Sequence, residues 1–79
     1  MSQNILDEYA AMDREAAADH HESKGGDRVA FLHGWDSWMR GQGLFSGMRF
    51  YPQGSPAQKG FVIGWQCADR AADTPAELD

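Results

Sequence analysis

Residues 31–40, Phe31-Leu32-His33-Gly34-Trp35-Asp36-Ser37-Trp38-Met39-Arg40, and residues 61–70, Phe61-Val62-Ile63-Gly64-Trp65-Gln66-Cys67-Ala68-Asp69-Arg70, are two versions of one decapeptide. Phenylalanine, glycine, tryptophan and arginine coincide at an offset of thirty, and Leu32/Val62 and Ser37/Cys67 are near matches. In the first version Phe31, Leu32, Trp35, Trp38 and Met39 recur at helical spacing, and in the second Phe61, Val62, Trp65, Ala68 and Ala72 do so. Each version predicts an amphipathic helix. Glycine inside a helix costs about 0.5–1 kcal/mol relative to alanine. Two such costs at equivalent places predict a close helix crossing at Gly34 and Gly64, with Trp35 and Trp65 packed beside it. Trp38 joins the same structural set, and Gly60 with Gly64 forms a small-xxx-small face. The intervening segment is long enough to return the chain antiparallel, which gives a pseudo-symmetric helical hairpin.

The flanking residues set the limits. Asp27 predicts an N-cap for a helix over 28–40. Ser55-Pro56-Ala57-Gln58 predicts the start of the other: a capping serine, a proline at the first helical position and a glutamine completing a capping box. Between them, Gly41, Gly43, Gly47, Gly54 and Pro52 exclude an uninterrupted helix. Leu44, Phe45, Met48, Phe50 and Tyr51 are too apolar for a free linker, so 41–54 is expected to be an ordered loop folded over the helices. Upstream, Ile5, Tyr9, Met12 and Ala16 share one helical face, which predicts a first helix from Ser2 to about Glu22. Lys24-Gly25-Gly26 ends it. The fold class is all-α: an acidic N-terminal helix (1–24), a helical hairpin domain (25–72) and an acidic tail (73–79).

Net charge is −5, and it is unevenly spread. Residues 1–27 hold seven acidic and two basic side chains, 28–70 hold two acidic and five basic, and the tail adds three acidic ones. A basic middle thus lies between two acidic ends. Cys67 is the only cysteine, which excludes an internal disulfide and multi-cysteine zinc sites and fits a reducing, cytoplasmic setting. No basic segment followed by an apolar run opens the chain, and no apolar stretch of about 18 residues occurs, so neither a signal peptide nor a membrane span is expected. His20 and His21, adjacent on a helix, point about 100° apart and are poorly placed to share an ion. No HExxH, CxxC or phosphate-loop spacing appears. Neither catalytic residue, metal nor cofactor is expected. Cys67 and His33 could pair only if the repeats cross, and no third orienting group is evident.

Gly34-Trp35, Ser37, Gly41, the aromatic-proline pair Tyr51-Pro52, and Gly64-Trp65 with Ala68 and Arg70 resemble the ribosome modulation factor family, including its small plasmid- and phage-borne relatives. The resemblance covers residues 28–72. Where the family carries Cys-Pro-Tyr, this chain carries Phe50-Tyr51-Pro52. The resemblance implies a helical hairpin that docks on the small ribosomal subunit and its rRNA and silences translation. By position it implies RNA contacts at Arg40, Arg49, Tyr51, Lys59 and Arg70, with Phe50 or Tyr51 able to stack on a base. An alternative reading is an acidic inhibitor from a phage or other mobile element. Asp7, Glu8, Asp13, Glu15, Asp19 and Glu22 would then imitate spaced phosphates against a host nucleic-acid-handling protein. Nine aromatics and four methionines in 79 residues also raise the expectation of a homodimer or an apolar docking patch.

Overall fold

The computed structural model describes residues 8, 9 and 11–73, the last by its backbone alone. Four helices follow in order: α1 (Arg14–Ser23), α2 (Arg28–Met39), α3 (Leu44–Met48) and α4 (Pro56–Asp73). The all-helical class holds, with two Gly-Trp helices joined by an ordered glycine-rich connection and preceded by an acidic helix.

The capping residues act as their sequence predicts. Asp27 Oδ1 accepts from Ala30 N at 3.0 Å, so α2 starts at Arg28. Ser55 Oγ accepts from Gln58 N at 3.1 Å, while Gln58 Oε1 accepts from Gly54 N at 2.8 Å, one residue before the cap. Gln58 also donates from Nε2 to Met48 O at 3.1 Å, which ties the start of α4 to the end of α3. The helix runs on to Asp73, so the first residue assigned to the tail from sequence is helical.

The crossing of α2 and α4 lies where the repeat places it. A Cβ on Gly34 would sit 2.0 Å from Phe61 O, and a Cβ on Gly64 would sit 2.0 Å from Phe31 O. The two contacts exchange under the thirty-residue offset. Ala30 and Gly60 meet one turn earlier, so each helix offers a small-xxx-small pair to the other. The direction differs from the antiparallel return expected. Asp27 meets Gly60, Phe31 meets Gly64, and Trp38 Nε1 donates to Asp69 Oδ1 at 3.0 Å. The contacts climb both helices in the same sense, so α2 and α4 run parallel. The connection descends between them: Gln42 O accepts from Trp65 Nε1 at 2.9 Å, Gly47 lies on the Phe61 ring, and Met48 O binds Gln58. Small residues at the crossing let the backbones approach, and Cα–H groups replace side chains as the contact.

The burial pattern follows from this. Phe31 and Phe61 are fully enclosed, and Ala30, Gly34, Trp35, Gly60, Ile63, Gly64, Cys67 and Ala68 are buried with them. Met39 and Ala72, placed in the apolar stripes from sequence, are exposed. The small side of each helix faces inward and pushes the stripe's edge out.

The first helix is shorter than its pattern predicts. Ala11 has a positive φ of 68°, and Asp13 caps a new helix by accepting from Ala16 N at 2.8 Å. This break resets the phase. Tyr9 is buried ahead of the helix, and Ala17, Ala18 and His21 face the core where Ala16 was expected. Ile5 lies outside the described residues. α1 lies mainly on α2, fastened by Arg14, whose Nε and Nη2 donate to the two Asp36 carboxylate oxygens at 2.8 Å each. That guanidinium holds the Asp36 carboxyl below its usual range, and the carboxylate raises Arg14 in return.

His21 is buried, and its Nδ1 shares a 3.1 Å hydrogen bond with the Tyr9 hydroxyl. Burial lowers its pKa, assisted by the charges of Lys24, His20 and Lys59 and opposed by Asp27. The folded chain therefore holds this proton less tightly than the unfolded chain does. Its stabilising contribution is complete above the unfolded value, about pH 6.5, and drains as the pH falls toward the folded value. Asp36 acts in the same direction at more acid pH, damped by its solvent exposure. The urea midpoint is expected to fall between pH 7.5 and pH 5, and His21→Gln is expected to flatten that fall. A pH-independent wild type would refute it.

Candidate nucleic-acid interface

The descending connection carries three of the six residues expected at an RNA contact, Arg49, Phe50 and Tyr51. α3 is seated on Phe61: a Cβ on Gly47 would lie 2.2 Å from its Cζ, so only glycine allows the short helix to lie flat there. Tyr51 follows, with its hydroxyl 2.6 Å from His33 Nδ1. The His33 ring meets Phe61 edge-on at a centroid distance of 5.0 Å, and Tyr51 lies 5.8 Å from Phe61. Burial raises the Tyr51 phenol, and a nearby Asp27 charge adds to it. Tyr51 is thus a half-buried anchor. Phe50 beside it is 76 % exposed, and Phe45 on α3 is 74 % exposed. Of the two rings expected to stack, Phe50 is the one presented to solvent.

The cations fall into two groups. Arg40 closes α2 and Arg70 lies near the end of α4, so the parallel arrangement puts both at one end of the pair. Arg49 follows Met48, which the Gln58 bond holds against the first turn of α4, where Lys59 stands. Lys59 and Arg70 are eleven residues apart on one helix, or about 16 Å. The expected set is therefore an Arg49–Phe50–Lys59 group at one end and an Arg40–Arg70 group at the other. Among the described residues, Arg40, Arg49 and Lys59 are exposed and make no ion pair.

The acidic residues of the N-terminal region are placed differently. Glu8 is bound by Lys24 and lies 3.1 Å from His20 Nε2, which together lower its pKa. Asp13 caps α1. Glu15 pairs with Arg14 at 2.6 Å and with Arg28 at 2.7 Å, and Asp19 lies 3.2 Å from Arg28. Glu22 is exposed, and Asp7 lies outside the described residues. Much of this charge is spent within the molecule.

Cys67 is buried, and burial pushes its thiol up to about 12. At neutral pH it stays protonated and is no nucleophile. His33 pairs with Tyr51, so the Cys67–His33 pair considered from sequence is not what the ring's Nδ1 serves. Among the described residues, no group of three or more potential ligands could hold a metal ion, and no helix is long and apolar enough to cross a membrane. The role of His33 in fixing Tyr51 was not legible in the sequence, since the two are 18 residues apart.

Fold and site together define a small all-helical protein whose glycine-packed helix pair is joined by an aromatic connection that exposes Arg49 and Phe50. No family model, curated protein or solved structure matches the chain.

Proposed function

We propose that the chain is a non-catalytic RNA-binding protein that acts as ribosome modulation factors do, docking on small-subunit rRNA in the cytoplasm and silencing translation. One observation carries the reading. Glu8, Glu15 and Asp19 are engaged by Lys24, Arg14 and Arg28, while Arg49 and Lys59 are exposed and make no ion pair among the described residues, and Phe50, next to Arg49 in the chain, presents its ring to solvent. The net charge of −5 already counts those cations, but it is concentrated at the two ends of the chain, whereas residues 28–70 hold five basic and two acidic side chains. Exposed rings stack on unpaired bases at about 1–3 kcal/mol per base, and cations beside them take the phosphates. Arg40 and Arg70, at the far end, are within reach of a strand running along the pair.

The test is co-sedimentation with bacterial small ribosomal subunits across a salt series. Wild-type binding is expected to weaken steeply with salt. Arg49→Glu is expected to lose it, and Phe50→Ala to weaken it with little change in salt slope. Removing one phosphate contact from a single strand flattens the slope by about 0.7, and Arg49→Ala should show that change. If Arg49→Glu binds as wild type does, the reading is wrong. Capture from lysate of a single protein that survives nuclease would move the function to the protein-binding alternative.

A further inference from the structure

The thirty-residue offset of the decapeptide extends through the described fold. α1 starts at Arg14 and α3 at Leu44, each behind an extended cap residue, Asp13 and Gly43. Two residues before each cap the backbone turns left-handed, with φ of 68° at Ala11 and 79° at Gly41. Ala17 and Gly47 are both buried, and so are Ser37 and Cys67. His21 lies 5.1 Å from Phe31, and Tyr51 lies 5.8 Å from Phe61. Each belongs to a hydrogen-bonded tyrosine–histidine pair, His21 with Tyr9 and Tyr51 with His33. Residues 11–40 and 41–70 are thus two copies of one helix–turn–helix unit. They touch reciprocally at the crossing, Gly34 against Phe61 O and Gly64 against Phe31 O. Reciprocal contact between parallel helices defines a pseudo-two-fold axis along the pair, the symmetry of an isologous dimer.

We propose that this chain pairs with a second copy of itself by exchanging units, residues 11–40 of each molecule packing on residues 41–70 of the other. The contacts at the α2–α4 crossing are kept in such a dimer, because each unit fits the other whichever chain supplies it. What differs is the hinge. Gly41-Gln42-Gly43 turns the single molecule back on itself, and no atom lies within 4 Å of the Cβ position of either glycine. Gln42 holds the turn, its N–H donating to Ser37 O and its carbonyl accepting from Trp65 Nε1, at 2.9 Å each. In the second unit the equivalent residues, Ala71-Ala72-Asp73, continue α4 as a helix. The glycines therefore decide whether the chain folds back or runs on. Short hinges of this kind are where copies of a chain exchange identical elements.

The experiment gives the hinge of the full chain the sequence of its own second unit: Gly41→Ala, Gln42→Ala and Gly43→Asp together. A continuous helix there holds α3 away from its own α2. In analytical ultracentrifugation this variant is expected to be a folded dimer of twice the chain mass. Wild type supplies the second measurement. Equal amounts of isotope-labelled and unlabelled chain, refolded together from urea at high concentration, are expected to yield a dimer fraction. In that fraction, isotope-filtered NOEs from Gly34 to Phe61 should cross between molecules. A folded but monomeric hinge variant would overturn the proposal, as would refolded wild type whose Gly34–Phe61 contacts never cross. A dimer that keeps those contacts within each chain would overturn it too, since an outer surface would then join the copies. Should the hinge variant fail to fold, the wild-type measurement decides alone. Neither readout involves RNA, so the proposal fails or survives separately from the ribosomal reading.

Discussion

Gly34→Ala and Gly64→Ala are each expected to lose about 3 kcal/mol of stability, the upper end of ordinary overpacking costs. Each new methyl would meet a backbone carbonyl of the opposing helix, Phe61 O or Phe31 O, 2.0 Å away. No flexible side chain stands there to give way, so the helices themselves must separate. A domain of this length holds on the order of 4–12 kcal/mol in all, so either variant removes a large share. The double variant is expected to cost less than the sum. Once the first methyl has parted the helices, the second finds room, and neighbouring sites couple in this way. Urea denaturation followed by tryptophan fluorescence measures all three. Gly43→Ala is the control: no atom lies within 4 Å of its Cβ position and its φ is −73°, so its cost should stay under about 1 kcal/mol. If Gly34→Ala behaves like Gly43→Ala, the close crossing is wrong.

The second large effect is expected at the pseudo-equivalent phenylalanines. Phe31 and Phe61 are both fully buried, and truncating either to alanine should cost about 3–5 kcal/mol. Their neighbours differ, so the local consequences should differ too. Phe61 carries the Gly47 backbone and the His33 and Tyr51 rings. Phe61→Ala should therefore release α3, expose its amides to hydrogen exchange and weaken RNA binding, although Phe61 itself is fully buried. Phe31 instead packs on Tyr9 at 5.7 Å, His21 at 5.1 Å and Trp35 at 6.3 Å. Phe31→Ala should loosen α1 and the Tyr9–His21 contact while α3 stays protected. Equal exchange in both regions for both variants would mean that the molecule opens as a single unit and that the two seats are not distinct.

The residues of the site were legible in unequal measure. Arg49 and Lys59 were marked by the resemblance, and their exposure agrees with a surface role. Tyr51 was expected to stack, and its bond to His33 makes it an anchor that leaves the exposed ring to Phe50. The acidic run read as a surface, yet four of its five described members have partners within the chain. Ion pairs such as Glu15–Arg28 join residues thirteen apart across a turn, and no local pattern announces them.

What the sequence by itself determined are the features set by interactions within a few residues. Asp27 and Ser55 cap their helices through bonds to the backbone three positions on, and the decapeptide repeat by itself marks the glycine crossing. Only the tertiary structure decided that α2 and α4 run parallel, that Phe61 seats α3, and that α1 begins at Arg14 with Ala17 and Ala18 inward. Each of these turns on where a long connection or a distant helix comes to rest. A glycine face accepts a partner running in either direction, and the descent of residues 41–55 along α4 selects one of them. Helical periodicity names the face a residue shares, but not the partner that covers it.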